Sequence, residues 1–226
     1  NMMGLDFLLL AMDIMYLRKE CKKWYDCILY AGFIIFLDLT ANSRTAEAII
    51  AMLIVIHLLS IVMQKNWFHK MMVLFTSGAF LLCLGIPSIG TYVYIRNPEI
   101  FQKHYSTFFS RIDLTAWFYS RNGRLAFYGF PLEDADCLDM LFSYIPLHWG
   151  IAAFIIVTTA MMYSIYCSSK EKNTYFLILL FFCFIYGCSE TAHIYPVYSY
   201  FSLLLGYYIM NHKPFSLHIK GKTIAF

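Results

Sequence analysis

Continuous apolar runs recur along nearly the whole chain, separated by short polar joints. A helix that crosses a bilayer needs about 20 predominantly apolar residues, so runs of this kind are read as membrane spans. The hydropathy pattern predicts about seven of them, at 3–17, 25–40, 45–63, 71–94, 147–167, 174–189 and 195–210. Several fall short of the ideal length, which predicts tilted, kinked or partly buried helices. The expected fold class is all-α, a polytopic transmembrane helix bundle with a large outer-face loop segment. Residues 1–94 hold the first four spans, 95–146 a large extracytoplasmic loop with short helices, 147–210 the last three spans, and 211–226 a cytoplasmic tail.

Composition agrees with the pattern. Of the 226 residues 60% are hydrophobic, 19% aromatic and only 14% charged, and the mean hydropathy is +0.60. An ordinary soluble domain has roughly 45–50% apolar and 25% charged residues, so disorder and a soluble globule are both excluded. A formal net charge of +3 without a dense basic stripe does not suit a nucleic-acid partner. The seven cysteines are scattered singly with no CxxC spacing, and read as small core hydrophobes. No signal peptide precedes the first span, and the chain begins at Asn1, which predicts a fragment of a longer membrane protein.

The positions of the charges set the expected orientation. Arg18 to Lys23, then Lys65 and Lys70, then Lys170 to Lys172, then Lys213, Lys220 and Lys222 fall at alternate joints. Positive residues stay on the cytoplasmic side, so these joints and the C-terminus are predicted inside. Ten of the eleven lysines then lie inside, whereas five of the six arginines (Arg44, Arg96, Arg111, Arg121, Arg124) lie outside. Lysine serves topology here. Arginine's planar fork grips phosphate or carboxylate with two parallel hydrogen bonds. Any one outer arginine is also explained by pairing with Glu99, Asp113, Glu133, Asp134, Asp136 or Asp139, or with lipid headgroups. As a set they fit an anion site better.

Three groups could carry chemistry. Asn42-Ser43-Arg44-Thr45 opens span three, where a capped helix start places free N–H groups beside a guanidinium; the alternative is a plain helix cap with a solvated arginine. Glu47, one turn inside, is costly in a membrane unless paired, and Arg44 at i, i+3 is the expected partner. If 112–130 is helical, Arg121, Arg124 and Tyr128 share one face; Asn122-Gly123 signals a turn instead. Asp139, His148 and Glu190 are candidate bases at the outer rim, and the sequence does not select among them. Trp117 and Tyr128, within the aromatic-rich outer segment, are candidates to stack on sugar, against packing on the bundle or lying in the interface. No Walker loop, HExxH, GxSxG or Rossmann pattern occurs, and Asp134-Ala135-Asp136 reads as a solvated acidic turn before it reads as a metal site.

The order of these motifs resembles a known family. Leu39-Thr40-Ala41-Asn42-Ser43-Arg44-Thr45-Ala46, then Ser120-Arg121-Asn122-Gly123-Arg124-Leu125, then Leu138-Asp139, Tyr144 and Trp149-Gly150-Ile151, is similar to the C-terminal half of the Wzy-type O-antigen and capsular polysaccharide polymerases, relatives of the O-antigen ligases. Tyr186 to Glu190 resembles a further segment of some members, and Met140 stands where many relatives carry Asn. The resemblance implies a metal-independent membrane glycosyltransferase without cofactors. It would polymerise undecaprenyl-pyrophosphate-linked repeat units at the outer face of the bacterial plasma membrane. Arg44, Arg121 and Arg124 would hold the pyrophosphate of the glycan donor, and an incoming repeat unit would be the acceptor. The lipid bilayer and a chain-length regulator protein are the other implied partners. Family members have more spans than the seven expected here, again predicting a fragment. The alternatives are an O-antigen ligase and, from another class, a non-enzymatic transporter or flippase of lipid-linked sugars. A transporter would line both halves of its path with polar groups, whereas the inner half here is nearly free of arginine.

Overall fold

The computed structural model of the chain describes residues 10–11, 14–15, 23–40, 44–97, 99, 107–132, 138, 140–188, 216–219 and 222–225. They form six helices, α1 (Asp26–Thr40), α2 (Arg44–Val62), α3 (Lys65–Arg96), α4 (Thr107–Asn122), α5 (Leu141–Lys170) and α6 (Thr174–Gly187). A short antiparallel pair, β1 (Ser216–Ile219) and β2 (Lys222–Ala225), lies in the expected tail, with Ile219 paired to Lys222 and Ser216 to Ala225. The helical architecture matches the pattern of apolar runs; the β pair is an addition to it.

Three helices, α2, α3 and α5, are long and apolar enough to cross a membrane. Helix α1 has 15 residues and α6 has 14. At 1.5 Å per residue each reaches little beyond 20 Å, against a hydrocarbon core of about 30 Å. Helix α6 is buried on every side, including Phe176, Leu180, Phe182 and Phe184. A helix that is apolar all round belongs inside a bundle, where neighbouring protein covers its short ends. The expected spans 3–17 and 195–210 lie outside the described residues apart from Leu10, Ala11, Ile14 and Met15, which are helical.

Buried polar groups define how the helices are paired. His69 near the start of α3 donates from Nε2 to the Ser169 carbonyl at 3.1 Å, leaving Nδ1 to accept the Thr174 hydroxyl at 2.9 Å. One heptad on, Thr76 Oγ1 donates to the Leu177 carbonyl at 2.9 Å. One heptad further, Cys83 lies against Gly187 at the end of α6. Helices α3 and α6 therefore run parallel, with a seam repeating every seven residues. Helix α6 starts where Asn173 caps it, its side chain accepting from the Phe176 N–H at 3.2 Å.

Helices α1 and α2 form an antiparallel hairpin, because His57 near the end of α2 meets the start of α1. Its Nε2 donates to the Lys23 carbonyl at 3.0 Å and lies 3.7 Å from Asp26 Oδ2. The ring packs edge-on against Tyr30, with centroids 5.7 Å apart. Taken together, these pairings bring Lys23, Lys65, Lys70, Lys170 and Lys172 to one end of the bundle. Arg44, Arg96, Arg121 and Arg124 lie at the other, so the separation of the two cations in sequence is also a separation in space among the described residues.

His69 gives a direct test of the seam. His69→Ala removes two hydrogen bonds, with the Thr174 hydroxyl and the Ser169 carbonyl, together with the packing of a buried ring, and should cost about 1–3 kcal/mol. Thr76→Val should cost under about 1 kcal/mol, because the Leu177 carbonyl keeps its place in the helical ladder. Thermal unfolding in detergent, followed by circular dichroism, should rank the two in that order; equal losses would contradict the seam.

Candidate functional site

The arginine end is built around a backbone crossing. Helix α4 stops at Gly123, whose φ of +69° is the left-handed conformation that ends helices, and whose N–H donates to the Tyr119 carbonyl at 2.8 Å. The chain from 124 to 132 then runs without regular structure against α5. Helix α5 contains a π-helical turn, Ile145–Trp149, and is interrupted at Gly150 with φ +92°. The Phe130 N–H donates to the Leu147 carbonyl at 2.9 Å, and the Ile151 N–H to the Ala126 carbonyl at 3.0 Å. Gly129 and Gly150 face each other at this crossing. A Cβ on Gly129 would collide with the His148 carbonyl oxygen, and one on Gly150 with that of Phe127. Only glycine permits two backbones so close. The N–H groups that follow the break are thus consumed by protein carbonyls, and this helix start offers no free anion cradle.

The crossing orients His148. Its Nδ1 is 2.9 Å from the Phe130 carbonyl oxygen, and since a carbonyl only accepts, Nδ1 carries the proton and Nε2 presents a lone pair. The ring is half-buried and packs edge-on against Tyr144, 4.9 Å between centroids. Asp139 and Glu190, the other two candidate bases, lie outside the described residues.

Beside the crossing is a cavity of about 470 Å³ between α3, α4 and α5. Its walls are mainly apolar, including Pro87, Ile95, Leu125, Phe142 and Leu147, with hydroxyls from Ser88, Thr91, Thr115 and Ser143. The Thr115 hydroxyl donates to the Arg111 carbonyl at 2.8 Å and lies 3.2 Å from Ser143 Oγ. Thr91 Oγ1 is buried and has no hydrogen-bond partner among the described residues. No charged side chain lines the cavity; three arginines lie near its lining residues in sequence. Arg96 follows the lining residue Ile95 and lies over the ring of Tyr92, another lining residue, at 5.0 Å. Arg124 is exposed and precedes lining Leu125, and Arg121 is two residues beyond lining Tyr119.

Several expectations are changed by this geometry. The helix ends at Asn122, so Arg121, Arg124 and Tyr128 do not share a helical face; the Asn-Gly turn signal wins because Gly123 adopts positive φ without cost. Arg121 lies over the rings of Trp117 at 4.9 Å and Phe118 at 5.0 Å, so one face of Trp117 carries a guanidinium. Tyr128 is 84% exposed and meets Phe127 edge-on. Arg44 is the exposed first residue of α2, a helix that contributes nothing to the cavity wall, while Asn42 and Ser43 lie outside the described residues. Glu47 Oε1 is buried without a hydrogen-bond partner among the described residues, and no ion pair joins it to Arg44. Reaching it would strip water from a guanidinium that is solvated where it stands. The Asp134-Ala135-Asp136 turn is outside the described residues, and among the described ones no group of three or more His, Cys, Asp or Glu gathers as a metal site. Sequence reasoning overlooked Thr91, Tyr92 and Ser143. Its available signal was the cluster of hydroxyls at the outer end of an otherwise apolar span.

No protein-family model matches the chain, and no match was found among curated proteins or solved structures.

The crossing predicts a contrast between glycines. A side chain on Gly123 meets nothing within 4 Å, so Gly123→Ala should cost only the left-handed backbone penalty of about 1–2 kcal/mol. Gly150→Ala collides with backbone and should undock the 124–132 segment. Hydrogen exchange at Phe130 and Ile151 should then accelerate in Gly150→Ala and stay protected in Gly123→Ala.

Proposed function

We propose that the chain is a membrane glycosyltransferase that polymerises undecaprenyl-pyrophosphate-linked repeat units at the outer face of a bacterial plasma membrane. The reading rests on the order of the sequence motifs. The single structural observation that supports it best is an apolar, hydroxyl-bearing cavity with Arg96 lying over the ring of its lining residue Tyr92. Such a cavity suits a ligand with a hydrocarbon portion and a phosphate, because apolar walls take the chain while guanidiniums at the rim take the charge.

In this reading the acceptor hydroxyl attacks the anomeric carbon of the donor. The bond from that carbon to the pyrophosphate breaks, and the leaving group departs with an added negative charge. Preorganised arginines stabilise that charge far better than bulk water does. His148, whose Nε2 lone pair is fixed by the bond at Nδ1, takes the hydroxyl proton; Asp139 and Glu190 are the other candidate bases. Exposed Tyr128 and the open face of Trp117 stack on sugar rings. Arg44 would reach the pyrophosphate from α2, and a chain-length regulator would be an accessory partner.

Single substitutions in cells test the reading, with glycan ladders as readout and immunoblots to confirm membrane levels. Arg124→Ala and Arg124→Lys should each lower polymer about 10²-fold or more, since lysine lacks the bidentate fork. His148→Gln should do the same. Accumulation of single capped repeats identifies the polymerase, and accumulation of uncapped long polymer identifies a ligase instead. An unaltered ladder in every variant refutes the proposal.

A further inference from the structure

Three cysteines converge where α3 meets the end of α6. Cys83 is fully buried in the middle of α3, Cys183 is buried on α6, and Cys188 is partly exposed just past the end of that helix. Cys83 Sγ lies against Gly187, the residue that immediately precedes Cys188, and Cys183 is one turn earlier on the same helix. Gly187 makes the approach possible. A Cβ there would sit 3.3 Å from Cys83 Sγ and 3.0 Å from Leu141 Cδ2, so any larger residue would push α3 and the start of α5 away.

We propose that Cys83 and Cys188 are an oxidisable thiol pair, a modification site at which a disulfide joins α3 to the end of α6. The oxidant is a disulfide, acting by thiol exchange. The Cys188 thiolate attacks one sulfur of the oxidant and expels one thiolate, forming a mixed disulfide. Cys83 then gives up its proton and attacks the Cys188 sulfur, expelling the second thiolate. One S–S bond is made and one broken, the two cysteines lose two electrons, and the oxidant leaves as two thiols carrying both protons. The order of attack follows exposure, since only Cys188 is reachable from outside the bundle.

The location gives the bond a consequence. Pro87 has no N–H, so the Cys83 carbonyl, four residues back, lacks its helical partner and the ladder is open at this point. The helix beyond it, from Pro87 to Ile95, forms one wall of the cavity. A disulfide at Cys83 pins α3 at the foot of that wall. The proposal does not depend on what the cavity binds.

The experiment oxidises the whole protein in native membranes with dithiodipyridine, blocks remaining thiols with N-ethylmaleimide under denaturing conditions, and maps tryptic peptides by mass spectrometry. Lys70 and Arg96 bound the peptide carrying Cys83, and Lys172 and Lys220 the one carrying both Cys183 and Cys188, because trypsin does not cut the Lys213-Pro214 bond. The wild-type protein should yield these two peptides joined, and the link should vanish on reduction. It should also be lost in Cys83→Ser and in Cys188→Ser, and retained in Cys183→Ser. Fragment spectra of the joined wild-type peptides place the bond at Cys183 or at Cys188, so poor accumulation of a variant leaves the test intact. Maleimide on Cys83 together with a thiopyridine or maleimide adduct on Cys188 overturns the proposal, as does a link that persists in Cys188→Ser.

Discussion

Within an apolar bundle polar side chains are costly to bury alone, and those that bond across to another helix fix which helices are neighbours. The α3–α6 seam is where this constraint acts most strongly. His69, Thr76 and Cys83 recur at intervals of seven on an otherwise apolar helix, and each meets a group on or beside α6. Leucine or isoleucine at these places would pack against lipid or protein with little preference. A histidine that needs one donor and one acceptor accepts only one register. The parallel alignment of α3 and α6 follows, and with it the placement of α5, whose ends are joined to the same seam at Ser169 and Leu141.

The arginine end depends on a different economy of contacts. Two glycines with positive φ let the segment after α4 cross α5 at backbone distance, and the crossing satisfies N–H groups that a broken helix would leave open. One product is a histidine held through Nδ1; another is a cavity lined in part by Leu125 and by Pro146 and Leu147 of the π-helical turn. π-Helical turns interrupt the regular ladder at a cost and occur often at functional sites. Here the interruption supplies the carbonyl of Leu147 to the crossing segment, which a regular helix would have used internally.

The same proximity gives the thiols of Cys83 and Cys188 a chemistry that their scattered positions in the chain do not suggest. Hydrophobic character explains why cysteine is tolerated in an apolar span. It does not explain why two of them meet across Gly187 beside the carbonyl that Pro87 leaves unbonded. Packing brings together the small residue, the open ladder and the two sulfurs, and each is unremarkable when read alone.

Much of the architecture was legible in the order of residues. Apolar runs with polar joints specify helices, because hydropathy and the need to satisfy the backbone are local and additive along the chain. The opposite placement of lysine and arginine survives in the folded bundle for the same reason: it follows from the alternation of helix directions. Asn122-Gly123 likewise carries its own turn. The site was legible only in part. That residues of three helices and Leu125 enclose a cavity, that Arg44 stands on a helix outside its wall, and that His148 is oriented by Phe130 are facts of contact between segments separated in sequence. Tertiary structure decides such contacts because they depend on register and close approach, which no local pattern encodes.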